Sequence, residues 1–246
     1  MTHGWNGKFL RVDLTREKVV TQDFNAEFAL KFLGGRGFAA KILWDELKPG
    51  IDALSPDNKL IFAAGPLTAF ALPSSGKLVA AAKSPLTGGY GDGNLGTMAT
   101  VQMRRAGYDA IIIEGKAPKP TVLRIEDEKT ELLDGKDYWG LGSFQTEKQL
   151  KKKFQTSTGV VAIGPAGENQ VKYATIVSEE GRAGGRPGIG AVMGSKNLKA
   201  VAINGTKTIP TKNPDELKKL GSEAYREVLK KPNYEFWKRQ GTMSTI

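Results

Sequence analysis

Four segments of this chain recur in the same order in its two halves. Leu10–Val19 resembles Leu123–Leu132, and Lys59–Pro66 resembles Gly159–Pro165. Lys77–Gly96 resembles Val171–Gly190: each is a short apolar run, then a Ser, then a Gly-rich loop. Asp109–Lys116 resembles Ala200–Lys207. One such match is within reach of chance, but four in register mark a duplicated unit of about a hundred residues, with repeats at about 8–116 and 121–207. The two Gly-rich loops then occupy equivalent places. A pseudo-twofold pair of loops can hold a two-part ligand from both sides.

Each repeat mixes hairpins with isolated helices. Residues 8–14 and 18–23 read as a β-hairpin, and 26–33 is apolar at helical spacing until Gly34-Gly35-Arg36-Gly37 breaks it. A helix resumes over 38–47, with Phe38, Ile42, Leu43 and Leu47 on one side. Strands follow at 60–64 and 78–82, a helix at 97–105 and a strand at 110–113. The second unit reads as strands at 121–125, 130–133, 160–163, 173–177 and 200–203, with helices near 146–154 and 191–198. Hairpins interrupted by single helices predict an α+β fold with largely antiparallel pairing, not a strict βαβ series.

The stretch from Arg182 to Lys199 holds five glycines and four cations in eighteen residues. It lacks the spacing of a nucleotide-hydrolase phosphate loop. Glycine lets the backbone approach a ligand closely, and freed N–H groups then point at anionic oxygens. Arg182 and Arg186 add forked donors suited to phosphate. A large phosphorylated cofactor lying on this backbone is one reading; a glycine-rich turn with solvated cations is the other. Gly91-Asp92-Gly93-Asn94-Leu95-Gly96 matches the dinucleotide fingerprint, with Glu114 near the distance for a ribose. A true fingerprint starts directly after its strand, however, and Ser84–Tyr90 intervenes. Arg36, between glycines, is a further candidate for an anion. Asp92, Asp109 and Glu114 have no spacing that specifies acid/base work, so no residue is assigned a catalytic role.

Composition removes several chemistries. The 246 residues include no Cys, which excludes disulfides, a thiolate nucleophile and a self-contained iron–sulfur cluster. His3 is the single histidine, placed in a terminus expected to be mobile. No segment has the apolar length of a membrane span or the pattern of a signal peptide, so a cytoplasmic location is expected. The net charge of +10 gathers on amphipathic helices and reads as a solvated face. No specific nucleic-acid signature accompanies it.

Residues 211–246 differ from the rest. Asn213-Pro214-Asp215-Glu216 opens a helix with Asn as the expected N-cap, running to about Lys231, where Pro232 ends it. Tyr234, Phe236 and Trp237 follow in a basic tail. They either fold back or await a partner, and the second is the expectation. The chain thus divides into a duplicated domain over 1–210 and, over 211–246, the helical start of a following domain that the chain lacks.

Six motifs in order resemble the N-terminal domain of the aldehyde ferredoxin oxidoreductases, tungsten or molybdenum pterin enzymes. They are Leu33–Phe38, Ala64–Thr68, Lys83–Gly88, Ala106–Ile111, Ile163–Asn169 and Gly190–Ala200. The resemblance covers about residues 4 to 210 and implies two related sheets forming the base of a cofactor site. Two pterins of a tungstopterin or molybdopterin chelate the metal there, and a magnesium ion links their phosphates. By motif position, Asn94 and Ala183 are expected to bind that magnesium through backbone carbonyls. Gly96, Arg182, Gly184, Gly185 and Arg186 are expected to contact the pterins or their phosphates. Lys77 stands where some relatives have Arg, keeping the charge without the fork. The implied chemistry is oxidation of an aldehyde to a carboxylic acid, with ferredoxin as acceptor. A [4Fe–4S] cluster and further contacts come only through the missing C-terminal domains or a partner subunit, so the chain alone is expected to be inactive. The competing expectation is a basic anion- or dinucleotide-binding interaction module without redox activity.

Overall fold

The computed structural model describes residues 3–245. The first repeat forms β1 (Lys8–Asp13), β2 (Lys18–Asp23), α1 (Ala26–Phe32), α2 (Arg36–Glu46), β3 (Leu60–Ala63), β4 (Lys77–Lys83), β5 (Tyr90–Gly96), α3 (Met98–Arg105) and β6 (Ala110–Glu114). The second forms β7 (Thr121–Glu126), β8 (Lys129–Asp134), α4 (Ser143–Lys153), β9 (Gly159–Ala162), α5 (Pro165–Glu168), β10 (Ile176–Ser178), β11 (Arg182–Gly184), α6 (Ile189–Ser195) and β12 (Leu198–Asn204). Helices α7 (Pro214–Leu229) and α8 (Tyr234–Gln240) follow.

The strands make two six-stranded sheets of one topology. The first runs β2-β1-β6-β3-β4-β5; read from its far edge, the second runs β8-β7-β12-β9-β10-β11. Position by position these are the same unit. In each, the first and last strands of the repeat pair in parallel, β1 with β6 and β7 with β12. The other neighbours are antiparallel, so the fold is α+β and duplicated as expected.

Alternation along the strands sets the layers. In β6, Ile111 and Ile113 face one core while Ala110 and Ile112 face another, and all four are fully buried. Both faces of such a strand need cover, which explains its unbroken apolar sequence. The central core joins Leu60, Phe62 and Ile113 of the first sheet to Leu123, Val161 and Val201 of the second. Met103 of α3 and Val192 of α6 fill the space between. The outer face of the first sheet is closed by Phe38 and Ile42 of α2, and that of the second by Leu150 of α4.

Polar staples join the halves. Lys196, fully buried after α6, donates from Nζ to the carbonyls of Pro56 (3.1 Å), Asn58 (2.6 Å) and Gly115 (3.0 Å). Burial pulls its pKa down to about 7, yet three acceptors match the three N–H groups of the ammonium, and a neutral amine satisfies only two. The charged form is therefore the one that fits. Thr97 Oγ1 and Ser178 Oγ, 2.6 Å apart and both buried, form a second link.

Several expectations change. The chain from Gly4 onward is tied down rather than loose: Gly4 N–H donates to the Pro210 carbonyl (2.8 Å), and Gly7 N–H donates to the buried Asp109 carboxylate (2.8 Å). Arg104 closes that staple by pairing with Asp109. The strand expected at 173–177 is only Ile176–Ser178. Asn213 precedes α7 but its side chain accepts no capping bond; its amide donates to Glu216 Oε2 instead (2.9 Å).

Candidate functional site

The largest correction falls on Gly91–Gly96. It reads as a loop, but it is strand β5, paired in full register with β4. A dinucleotide fingerprint must turn from a strand into a helix, so the motif does not form that site. Glu114 is not beside it either. It ends β6, separated from β5 by the two strands β3 and β4, and pairs with Lys59.

β5 and β11 are the matching edge strands of their sheets, and the two edges abut. An edge strand carries unpaired N–H and C=O groups along its outer side. Here the two strands pack against one another. Glycine permits the contact: a β-carbon on Gly93 would stand 1.9 Å from the Gly185 nitrogen. A β-carbon on Gly184 would stand 3.4 Å from the Asn94 carbonyl oxygen. Gly185 itself has φ 78°, a conformation other residues adopt only with strain. Ser84 Oγ donates to the Pro187 carbonyl (2.6 Å), fixing the loops at the same seam.

Shallow clefts flank the seam. One is lined by Lys77, Gly96, Thr97, Met98, Glu179 and Arg182. Lys77 and Gly96 meet there as ladder partners of β4 and β5. A β-carbon on Gly96 would meet nothing within 4 Å, so this backbone lies open to a ligand. The other cleft is lined by Asp92, Asn94, Ala183, Gly184, Gly185 and Arg186. The structure thus gathers all eight expected cofactor and magnesium residues along one seam.

The charges at the seam divide into engaged and free. Arg36, at the start of α2, pairs with Asp92 of β5, including a 3.1 Å bond from Nη2 to Oδ1; the bond and the charge of Asp92 raise its pKa. Tyr90 donates to the same carboxylate (3.2 Å), and burial, reinforced by Asp92, pushes its phenol up. By contrast, no described carboxylate pairs with Lys77, Arg182 or Arg186. Arg182 and Arg186 are exposed. Unneutralised cations beside open glycine backbone form an anion-binding surface. Among the described residues, no cluster of three or more His, Cys, Asp or Glu side chains is arranged to hold a metal.

Sequence reasoning missed Glu147 and Glu179. Glu147 lies in the Lys-rich α4 and reads as solvated, yet its side chain is 2% exposed. It accepts from the Glu179 and Glu180 N–H groups, both at 3.1 Å. Glu179 Oε1 in turn accepts from the Met98 N–H, at 3.2 Å.

The family profile described as "Aldehyde ferredoxin oxidoreductase, N-terminal domain" matches residues 9–205. The chain belongs to the aldehyde ferredoxin oxidoreductase N-terminal domain family. The chain is 46% identical over 205 residues to a tungsten-containing aldehyde ferredoxin oxidoreductase of Pyrococcus furiosus, covering 83% of the chain and 34% of that protein. The protein of the same description from Pyrococcus abyssi is 44% identical over 230 residues, covering 93% and 38%. The fold is similar to that of a chain in the active-site complex of a benzoyl coenzyme A reductase with 1,5-dienoyl-CoA. That match has TM-score 0.88 and 36% identity, covering 93% of this chain and 35% of the other. The chain spans about a third of the length of these relatives. Among the described residues, no helix is long and apolar enough to cross a membrane.

Proposed function

We propose that this chain is the cofactor-binding N-terminal part of a tungsten-pterin oxidoreductase that converts aldehydes to carboxylic acids. The observation that carries the reading is the seam between β5 and β11, where glycine backbone lies open between unpaired cations. Its donors suit a phosphorylated, two-part cofactor: each repeat contributes one edge strand, and each flanking cleft holds its own cation. Arg182 and Lys77 serve one cleft and Arg186 the other, in the role of phosphate partners. Gly96 offers backbone without steric cover, while Gly184 and Gly185 let the facing strand approach closely. Asn94 and Ala183 offer carbonyl oxygens on facing edges, the hard ligands that magnesium selects. Tungsten is preferred to molybdenum because the two Pyrococcus relatives are tungsten-containing.

When bound, the cofactor supplies the two-electron oxidation, and the protein supplies position and electrostatics. With no Cys in the chain, a [4Fe–4S] cluster that passes electrons to ferredoxin draws its ligands from other domains or a partner subunit. Residues 211–246 are read as the start of such a domain. Leu220, Val228 and Leu229 of α7 and Phe236 and Trp237 of α8 lie largely exposed, as a surface awaiting cover would. A basic module without redox activity remains the second reading, favoured by the same free cations.

Tungsten analysis and pterin fluorescence of the anaerobically purified enzyme, in wild-type, Arg182→Ala and Arg186→Ala forms, test the assignment. Each variant is expected to weaken cofactor retention by about 1.5–3 kcal/mol, the worth of a charged hydrogen bond. Unchanged metal and pterin content in both would remove these residues from the site. A wild-type enzyme without tungsten or pterin would leave the basic module standing.

A further inference from the structure

We infer that Glu147 of α4 is a positioning residue for the cofactor cleft, holding the turn between β10 and β11 in the conformation that aims Arg182 at its ligand. The inference rests on the reading of Arg182 as a phosphate partner.

Two consecutive residues of that turn, Glu179 and Glu180, have φ of 48° and 52°. Non-glycine residues avoid this region, and such strain persists only where the surroundings over-determine it. A backbone turn can also point its N–H groups at a common acceptor, making a small anion-binding nest. In this turn the nest is filled by the protein itself: the Glu147 carboxylate accepts both N–H groups at 3.1 Å, one on each oxygen.

The surroundings hold that carboxylate in place. Its side chain is 2% exposed, and Lys151 Nζ, one helical turn on, lies 2.8 Å from Oε1 and 3.6 Å from Glu179 Oε2. Burial pulls Lys151 down, but its bonds to Glu147 and Glu179 raise it overall, so it stays charged. Glu179 then reaches across the seam to the Met98 N–H at the start of α3. Ser178, just before the turn, bonds to Thr97 and to the Val160 carbonyl (2.5 Å). Arg182 follows the turn after Gly181 alone. With one anchor on α4 and one on α3, the turn is fixed before any ligand arrives. Arg182 then need not be ordered by the cofactor, which lowers the entropic cost of binding.

Hydrogen–deuterium exchange of the chain in wild-type, Glu147→Ala and Glu147→Gln forms tests the turn directly. Glu147→Ala is expected to accelerate exchange across residues 179–185 at least tenfold and leave β9 and β12 at wild-type rates. Glu147→Gln keeps the shape and one acceptor oxygen, and is expected to fall between; it decides the matter if the alanine variant does not fold. Unchanged exchange at 179–185, or acceleration spread evenly over the chain, would overturn the inference. Tungsten content of the loaded enzyme closes the cycle: Glu147→Ala and Arg182→Ala are each expected to lower it, and the double variant to lose no more than Arg182→Ala alone. Full content in Glu147→Ala beside a loss in Arg182→Ala would overturn the positioning role. Full content in Arg182→Ala would instead overturn the role given to Arg182 itself, and shows in that variant alone.

Discussion

The backbone nitrogen of Gly185 lies 1.9 Å from where a β-carbon on Gly93 would stand. The two sheets therefore meet through glycine on both sides, and their edge strands come close enough to share a ligand. Gly93→Ala is expected to push the edges apart and cost about 1–3 kcal/mol, as overpacking does. Urea unfolding measures it, and stability equal to wild type would show that the seam is looser than drawn.

Lys196 joins the repeats through three carbonyl oxygens. Lys196→Met keeps the apolar stem but removes this donor from the Asn58 and Gly115 carbonyls, while the Pro56 carbonyl keeps the Gly115 N–H. A loss of roughly 3 kcal/mol or more is expected. A variant within experimental error of wild type in chemical unfolding would assign the staple no energetic role.

Much of this fold was legible because its information is local or repeated. The unbroken apolar run Ala110–Ile113 and the recurrence of four segments gave the strand and the duplication. β5 and β11 were harder to see. Three of the seven residues of β5 are glycine, with no side chain to set a period, and their extended form depends on partners far away in sequence. The site residues lay in readable motifs, but the residue behind them did not. Glu147 sits among lysines that imply a wet surface, and only the turn at Glu179–Glu180, 32 residues on, explains its burial. Lys196 is hidden for the same reason: its acceptors lie in the other repeat.

Acid sensitivity should centre in part on Glu46. Burial raises its pKa, but a bidentate bond from Arg11 (2.5 and 3.0 Å) and the nearby Lys59 outweigh that, so the net shift is below the ordinary 4.5. A depressed carboxylate pKa stabilises the fold above the unfolded value and loses that contribution as pH falls through the folded one. Wild type is therefore expected to exceed Glu46→Gln in stability at neutral pH and to converge on it as pH falls below 4.5. Parallel curves throughout the acid range would contradict the shift.

Asn94 lies in regular β5 and is not among the residues with positive φ, so no left-handed geometry restricts its replacement. If its carbonyl is the magnesium ligand, Asn94→Ala and Asn94→Gly should both retain magnesium in the loaded enzyme. Elemental analysis decides, and loss from both would transfer the role to the side-chain amide.

The most direct test of the central claim is an anaerobic crystal structure of the enzyme with its cofactor. The phosphates are predicted to lie against Arg182 and Arg186, with a cation between the carbonyl oxygens of Asn94 and Ala183. Phosphates bound elsewhere, with the β5–β11 seam bare, would contradict the account.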